Sequence, residues 1–556
     1  LRKQRRVPLK ITRRVPLKTT RRVPLTIIRW KTRHQKLRIL KAVDRFARVR
    51  TGLGSLLLFF LGLVTALAQP PLWILPVLWI AYPLALMLIL SRRGWRGAWL
   101  FIFAFWWGQI VGGMYWLGWV VGVDLATYWW VTPFAVLGLP AFLALVQSPW
   151  WLAAWILIKR LKLGLTGALL IFAGTAMGAE GFRGWVMTGL PWGPLGTVWG
   201  FHPLTLQLAA WTGVFGLTAL TTLSAAGPAL FAVRRPMQAI AVTLLPLAVL
   251  LGFGLWRLDR IGEAAETPTD TIVRLVQPGT NSLVRLDDAA KLQRVRDLLA
   301  MSFSGDGTHD VAIWSETSIQ FFIDYYPEDL AWILDSFPPD TRIITGGLGA
   351  SPGAEPIPTN TAYALTNDGI EARHDKSHLV PFGEYKPWFV RWIPVAAFSA
   401  GSFWEGPGLS TWTLPGLPPV SPLICYEMIF PGNVIAKGEP RPAWMVNISN
   451  DGWYGNTSGP RQHFIFARFR AVEEGLPMVR VGGTGISGII DAAGRVKHRI
   501  AYGATEVVSL PLPAALPITP FGKTSRLNFW LMCLGLLFAG IIAGLVKKFH
   551  KYTLSV

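Results

Sequence analysis

Three short passages of this sequence hold residues that could carry out group transfer together. Trp314-Ser315-Glu316-Thr317 sets a carboxylate directly after an apolar run. Lys376-Ser377-His378-Leu379-Val380-Pro381-Phe382-Gly383-Glu384-Tyr385 opens on an ammonium. Ile424-Cys425-Tyr426-Glu427 ends another apolar run with a thiol. A thiol is a weak nucleophile until it loses its proton, so a cysteine enzyme needs a base or a cation beside it. Glu316 could take that proton and return it to a leaving group, and Lys376 could hold the charge that develops on a carbonyl oxygen. Taken singly, each residue has a plain reading as well. A cysteine on a buried strand is a small core residue, a glutamate after a strand is a turn or cap residue, and a lysine is a solvated surface group. Spacing alone does not join them.

The elements that must position these residues read as an α/β domain. Apolar strand-like runs fall at Thr271–Val276, Val311–Trp314, Arg342–Thr345, Ala362–Leu365, Pro422–Cys425 and Trp444–Ile448. Segments of helical period lie between them, at Leu286–Phe303 and Gln462–Glu474. Asn367-Asp368-Gly369 is a turn that should join two strands as a hairpin, and the Gly- and Pro-rich stretches 349–358 and 405–419 should be loops. Strand ends on one edge of a sheet are where such a domain gathers residues distant in sequence.

The rest of the chain is too apolar for an ordinary soluble enzyme. Of 556 residues, 52% are hydrophobic and 15% charged, and the mean hydropathy is +0.39. Seven stretches of spanning length are expected near 52–68, 72–90, 97–121, 129–158, 163–180, 206–233 and 237–257, with an eighth near 527–546. Lys and Arg cluster before the first stretch and after the second, fourth, sixth and eighth. By the positive-inside rule both termini are then cytoplasmic. The long region 258–526 is left outside, in the periplasm of a two-membrane bacterium, with the chain held in its inner membrane. The 28 Trp fit a bilayer interface.

The net charge of +23 is mostly local. Residues 1–50 carry 19 Lys and Arg against one acid, Asp44, which leaves about +5 for the other 506 residues. Arg-Arg-Val-Pro-Leu recurs three times in this arm. It cannot bury a core, so a disordered cytoplasmic arm near anionic lipid is expected. No aromatic platform accompanies the arginines, which argues against nucleic acid. Cys533 lies in the last apolar stretch, so Cys425 is alone in the outer region and no disulfide framework forms within the chain. An unpaired thiol in an oxidising compartment is a liability unless it works. No ligand-spaced Cys/His cluster points to a metal.

What joins the three passages is resemblance. Glu, Lys and Cys in this order, with Lys376 60 residues after Glu316 and Cys425 49 after that, resemble the nitrilase superfamily. Seven spans, such a domain and one more span resemble its integral membrane members, the apolipoprotein N-acyltransferases. His378–Tyr385, Ser449-Asn450-Asp451-Gly452-Trp453-Tyr454-Gly455 and the outer-loop run Thr188-Gly189-Leu190-Pro191-Trp192 are all similar to that family. The match covers roughly residues 50 to 546.

The resemblance implies an αββα sandwich inserted after seven transmembrane helices, with an eighth at the C-terminus. The implied organisation is a basic arm (1–50), a transmembrane domain (51–257), a catalytic domain (258–526), the last span (527–546) and a cytoplasmic tail (547–556). It implies Cys425 as nucleophile, Glu316 as general base and Lys376 as the oxyanion-stabilising group. Glu384 and Asn360 would support the site, Tyr426, Glu427 and Trp453 would lie near the acyl-enzyme, and Gly189 and Trp192 would belong to a membrane-side loop at the substrate entrance. The implied reaction moves an acyl group from the sn-1 position of a phospholipid to the N-terminal diacylglyceryl-cysteine amine of an apolipoprotein, the last step of lipoprotein maturation. It needs no metal or organic cofactor, and nothing demands more than a monomer. Two departures from the family pattern stand out: Arg285-Leu286-Asp287 where a Lys-Trp-Asp run is usual, and Gly483 where Asn is usual. The aromatic stretch from Trp388 to Trp404 would form a lid dipping into the interface, or pack under a long loop. A membrane-anchored amidase would need only one span, and a transporter with an outer sensor domain would leave the cysteine without a role.

Overall fold

The computed structural model describes residues 50–122, 129–280, 286–304, 308–324, 326–338, 341–353, 355–388 and 403–549. The expected arm up to residue 49, Arg285, and the lid stretch over 389–402 lie outside these. Helices come first: α1 (Thr51–Thr65), α2 (Leu78–Ser91), α3 (Trp95–Gly113), α4 (Leu139–Leu161), α5 (Leu165–Arg183), α6 (Ala209–Ala226) and α7 (Pro236–Glu266). A sheet domain follows, and α11 (Pro520–Phe549) closes the chain.

Among the described residues, six helical stretches are long and apolar enough to cross a bilayer: 51–68, 129–161, 165–183, 209–232, 236–266 and 527–545. They answer to six of the eight expected spans. The expected spans at 72–90 and 97–121 fall instead on a shorter apolar helix, Leu75–Ser91, and on α3, which stops at Gly113. In α5 and α6 the most apolar windows are 78% and 72% buried, against 22–28% in the other four. The first two therefore form the middle of the bundle, and the others turn Leu53, Phe60, Leu245, Leu255 and Phe538 outward. Apolar faces of that extent are at home in lipid rather than water. Close backbone approach holds α1 to α3: a Cβ on Gly62 would lie 2.0 Å from the Phe105 carbonyl oxygen, and one on Gly108 1.9 Å from that of Phe59. Small residues allow such packing where lipid supplies no hydrophobic drive.

The sheet domain has four layers. One sheet runs β12-β1-β2-β4-β5-β6, with β3 beside β4. The other runs β11-β10-β9-β8-β7. The strands are β1 (Pro268–Gln277), β2 (Val311–Ile313), β3 (Ile319–Phe322), β4 (Arg342–Ala350), β5 (Pro358–Thr366), β6 (Gly369–Asp375), β7 (Val420–Ile424), β8 (Trp444–Ile448), β9 (Met478–Val481), β10 (Ser487–Ile490), β11 (Val496–Ile500) and β12 (Glu506–Pro513). Side-chain alternation builds the layers. Val273, Leu275, Val311 and Ile313 face the second sheet and meet Ile424, Trp444, Val446 and Val479. The intervening Val276, Ala312 and Trp314 face helices α8 (Asp288–Ser302) and α9 (Pro327–Asp335). On the far side, Leu423, Met445 and Met478 join the core shared by α10 (Ser458–Glu474) and the membrane helices. The helix α10 is buried on nearly every face, only Arg461 being half-buried. It is the layer that welds the sheet domain to the bundle.

The expected hairpin forms. β5 and β6 pair antiparallel through Thr366↔Gly369, with Gly369 at φ +132° in the turn. The expected helix from Leu286 begins at Asp288, because the Asp287 carboxylate accepts the Ala290 amide and caps it.

Candidate active site

The site sits where strands of both sheets end. β7 stops at Ile424, and Cys425 opens a 3-10 turn, Cys425–Ile429. Cys425 has φ +49°, a left-handed conformation costing an L-residue about 1–2 kcal/mol. Surrounding hydrogen bonds hold it there. Asn447 Nδ2 donates to the carbonyls of Leu423 (3.2 Å) and Cys425 (3.4 Å), and the Ile424 amide donates to Glu427 Oε2 (2.8 Å). Glu316 lies in the turn after β2, where Thr317 is also left-handed at φ +54°. Lys376 follows β6 directly, its amide bonded to the Asn360 carbonyl of β5 at 2.9 Å.

These ends bring five of the expected residues together. Lys376 Nζ donates to Glu384 Oε1 at 2.8 Å and to Glu316 Oε1 at 3.3 Å. Asn360 Nδ2 donates to the same two oxygens, at 2.9 and 2.8 Å. The other Glu316 oxygen accepts the Asn450 amide, and the other Glu384 oxygen the Val380 amide. Glu316, Lys376, Cys425 and Asn360 are 1–6% exposed. The Cys425 thiol is close enough to Glu316 and Lys376 for both charges to act on it.

The electrostatics follow from burial and from the charge count. Burial alone would lower the Lys376 pKa, yet Glu384 and then Glu316 drive it above the usual lysine range, so it stays an ammonium. With two carboxylates and one ammonium the cluster is net negative, and ionising the thiol would add a second uncompensated charge. Burial first, and Glu316 next, push Cys425 up to about 12 against the pull of Lys376 and of a hydrogen bond with Ser449. The resting sulfur is a thiol.

The remaining expected residues lie around this cluster in different settings. Glu427 is bonded to other partners. It accepts the Ser377 amide and hydroxyl, both at 2.7 Å, besides His374 Nε2 and the Ile424 amide. Burial would raise its pKa, but His374 and these donors hold it down to about 2. Tyr426 reaches the membrane-side loop, its hydroxyl donating to the Gly189 carbonyl at 2.8 Å. Gly189 has φ +80°, and a Cβ there would lie 2.1 Å from the Gly184 carbonyl oxygen. Trp192 is 2% exposed and its indole donates to Gln462 of α10 at 2.7 Å, so this ring packs between domains. Trp453 is 44% exposed. Gly483 has φ +63°, a conformation that Gly and Asn both tolerate.

Sequence reasoning missed a second buried network behind Cys425. Arg480 Nη2 donates to both oxygens of Asp451 at 2.8 Å. Asp451 Oδ1 also meets Ser449 Oγ and His463 Nδ1, each at 2.9 Å. Arg480 also grips Asn447, the residue that holds the Cys425 carbonyl. The signal was there in Met478-Val479-Arg480-Val481 and Val446-Asn447-Ile448, where one polar residue interrupts each apolar strand. Missed too was the clamp from His378 Nε2 to the Thr188 carbonyl at 2.6 Å. Among the described residues, no three His, Cys, Asp or Glu side chains gather as a metal would require.

Known proteins carry the same two parts. Residues 61–227 match the family model of the apolipoprotein N-acyltransferase N-terminal domain, and residues 272–515 that of carbon-nitrogen hydrolase. An apolipoprotein N-acyltransferase of Rhodopseudomonas palustris is 35% identical over 504 residues, covering 84% of this chain and 90% of that one. One of Brucella melitensis is 34% identical over 501 residues, with 84% and 91% covered. A solved amidase of the nitrilase superfamily from Nesterenkonia aligns at 17% identity and TM-score 0.33, covering 44% of this chain and 92% of its own. With two relatives matched along most of both chains, and both family models falling on the bundle and the sheet domain, this chain belongs to the apolipoprotein N-acyltransferase family.

Proposed function

We propose that the protein moves a fatty acyl chain from the sn-1 position of a phospholipid to the amine of a diacylglyceryl-cysteine at an apolipoprotein N-terminus, in two steps at Cys425. The observation that carries this reading is the buried thiol within reach of a carboxylate and an ammonium, clamped to a loop of the membrane bundle.

In the first step Glu316 takes the thiol proton as sulfur attacks the sn-1 carbonyl carbon. The carbonyl electrons move to oxygen, where Lys376 stabilises them. The tetrahedral species collapses, the C–O bond breaks, and the glycerol oxygen takes the proton from Glu316. The products are a thioester and a lyso-phospholipid. In the second step the α-amine attacks the thioester, gives its proton to Glu316, and the departing sulfur takes it back. Every bond and proton balances without a cofactor. Glu384 and Asn360 hold Lys376 and Glu316 in register.

Both substrates are anchored in lipid, which favours a site held at the bilayer surface. Drawing an acyl chain through water would cost about 0.8 kcal/mol per methylene. In this reading the shorter helix Leu75–Ser91 and α3 also cross, giving seven spans before the catalytic domain and one after it. That domain then lies in the periplasm of an inner-membrane protein with both termini cytoplasmic, working as a monomer.

Trapping tests the cycle. Full-length protein in mixed micelles with acyl-labelled phospholipid should form a hydroxylamine-sensitive adduct, absent in Cys425→Ala and slowed in Glu316→Gln and Lys376→Met. Undiminished labelling of Cys425→Ala ends the proposal.

A further inference from the structure

Arg183 is the last residue of α5, at the end that meets the outer loop, and it is 3% exposed. Its Nε is sealed from solvent without a hydrogen-bond partner. Among the described residues the guanidinium makes no ion pair or hydrogen bond. The acid one turn earlier, Glu180, lends it charge but no hydrogen bond. Glu180 Oε1 accepts the Leu195 amide at 2.9 Å, and Oε2 accepts the Thr218 hydroxyl at 2.5 Å. The carbonyl ends of the helix offset only part of an arginine's charge. A buried guanidinium left so is costly unless an anion completes it.

Its position says which anion. The Arg183 carbonyl accepts the Leu190 amide at 2.9 Å, so the loop from Gly184 to Leu190 folds back over it. That loop is the one clamped to the site, through Tyr426 to Gly189 and His378 to Thr188. The Arg183 charge lies within electrostatic reach of Tyr426, the neighbour of the nucleophile. A molecule with an ester at Cys425 and an anion at Arg183 would lie across the join of bundle and catalytic domain.

We propose that Arg183 binds the phosphodiester of the acyl-donor lipid and so selects phosphate-bearing glycerolipids over neutral ones. The planar fork of a guanidinium matches the two non-bridging oxygens of a phosphodiester. This rests on the acyl-transfer reading above and adds to it the group by which the donor is recognised.

The test compares two lipids with the same sn-1 ester and the same glycerol leaving oxygen. Acyl-labelled phosphatidylethanolamine and acyl-labelled diacylglycerol are presented to the full chain in mixed micelles, and the rate of Cys425 labelling is measured against lipid concentration. The wild-type protein should prefer the phospholipid. Arg183→Gln should lower the ratio of the two labelling efficiencies about ten- to hundredfold, mainly through the apparent KM for phospholipid. Arg183→Lys, which keeps the charge and loses the fork, should fall between. A ratio unchanged in Arg183→Gln, or in Arg183→Lys where the glutamine protein does not fold, overturns the inference. If neither lipid labels the wild-type protein, the acyl-transfer reading fails instead.

Discussion

Replacing Glu316 by Gln should push two measurements of the same sulfur in opposite directions. Burial and the Glu316 carboxylate hold the Cys425 thiol at about 12. At pH 7.5 the thiolate fraction is then about 3 in 100,000, against roughly a tenth for an exposed thiol. The greater nucleophilicity of so basic a thiolate returns about 30- to 50-fold. Iodoacetamide should therefore modify Cys425 about a hundredfold more slowly than a free thiol, with the rate rising about tenfold per pH unit up to pH 10. Removing the carboxylate charge lowers the thiol pKa by on the order of 1–2 units. After the loss of intrinsic nucleophilicity, alkylation of Glu316→Gln should be about 3- to 10-fold faster. Acylation by phospholipid should be about 10²- to 10⁴-fold slower, because the base is gone. The assay is mass-spectrometric alkylation of Cys425 in a Cys533→Ala background, beside acyl labelling of the same samples. If the two rates fall together in Glu316→Gln, the charge-count reasoning is wrong. A wild-type alkylation rate that levels off below pH 9 would mean a preformed thiolate paired with Lys376, and would refute it equally.

Three further outcomes follow from the same contacts. Glu427 is held down to about 2 from an ordinary 4.5, so its stabilising effect is complete above 4.5 and fades as pH falls towards 2. Glu427→Gln should cost about 2–4 kcal/mol at pH 7, and its thermal midpoint should fall less between pH 5 and 3 than that of the wild type. A parallel fall would point to other groups. Gly189→Ala must move the Gly184 carbonyl or abandon φ +80°, costing about 1–3 kcal/mol. Acyl labelling should drop with the melting temperature, and wild-type values of both would show that the loop yields. Asp451→Asn leaves Arg480 buried without its counter-charge, at about 3–5 kcal/mol. Denaturation showing a loss under 1 kcal/mol would mean the pair is not held as described.

The three passages were legible because their chemistry stands at the ends of short apolar runs, and resemblance to the family was what joined them. Pro422–Ile424 before Cys425 and Val311–Ile313 before Glu316 announce strands and mark where they stop. The left-handed turn at Cys425 was not legible, since nothing in Cys-Tyr-Glu differs from an ordinary strand exit. It depends on Asn447 and Glu427, which come from other elements. The Asp451–Arg480–His463 network escaped for a similar reason. Its parts meet through the register Asn447↔Arg480, and Arg480 breaks the apolar run that would have revealed β9. Strands β10 and β11 are short, and β12 carries little alternation. The 97–121 span was drawn too long because Trp and Leu continue past Gly113, where the helix turns. The resemblance put Trp192 in a membrane-side loop at the substrate entrance, and only the fold shows Gln462 accepting from its indole.

The catalytic domain does not stand apart from the bundle, and this bears on what the site can accept. The turn that holds Cys425 contacts the loop after α5 through Tyr426, and the stretch after Lys376 contacts it through His378 and Tyr385. Opposite them, α10 is fastened to the bundle by Gln462 under Trp116 and Trp192, by Arg468 on the Gly200 carbonyl, and by Glu473 on the Val214 amide. That last bond falls beside Gly213, where α6 is broken at φ +63°, so a carboxylate of the sheet domain takes an amide the kink leaves without a helical partner. A shift of the bundle against the sheet domain would thus reach Tyr426 and α10 together. A soluble domain with the same three chemical groups would have no such coupling to a membrane bundle.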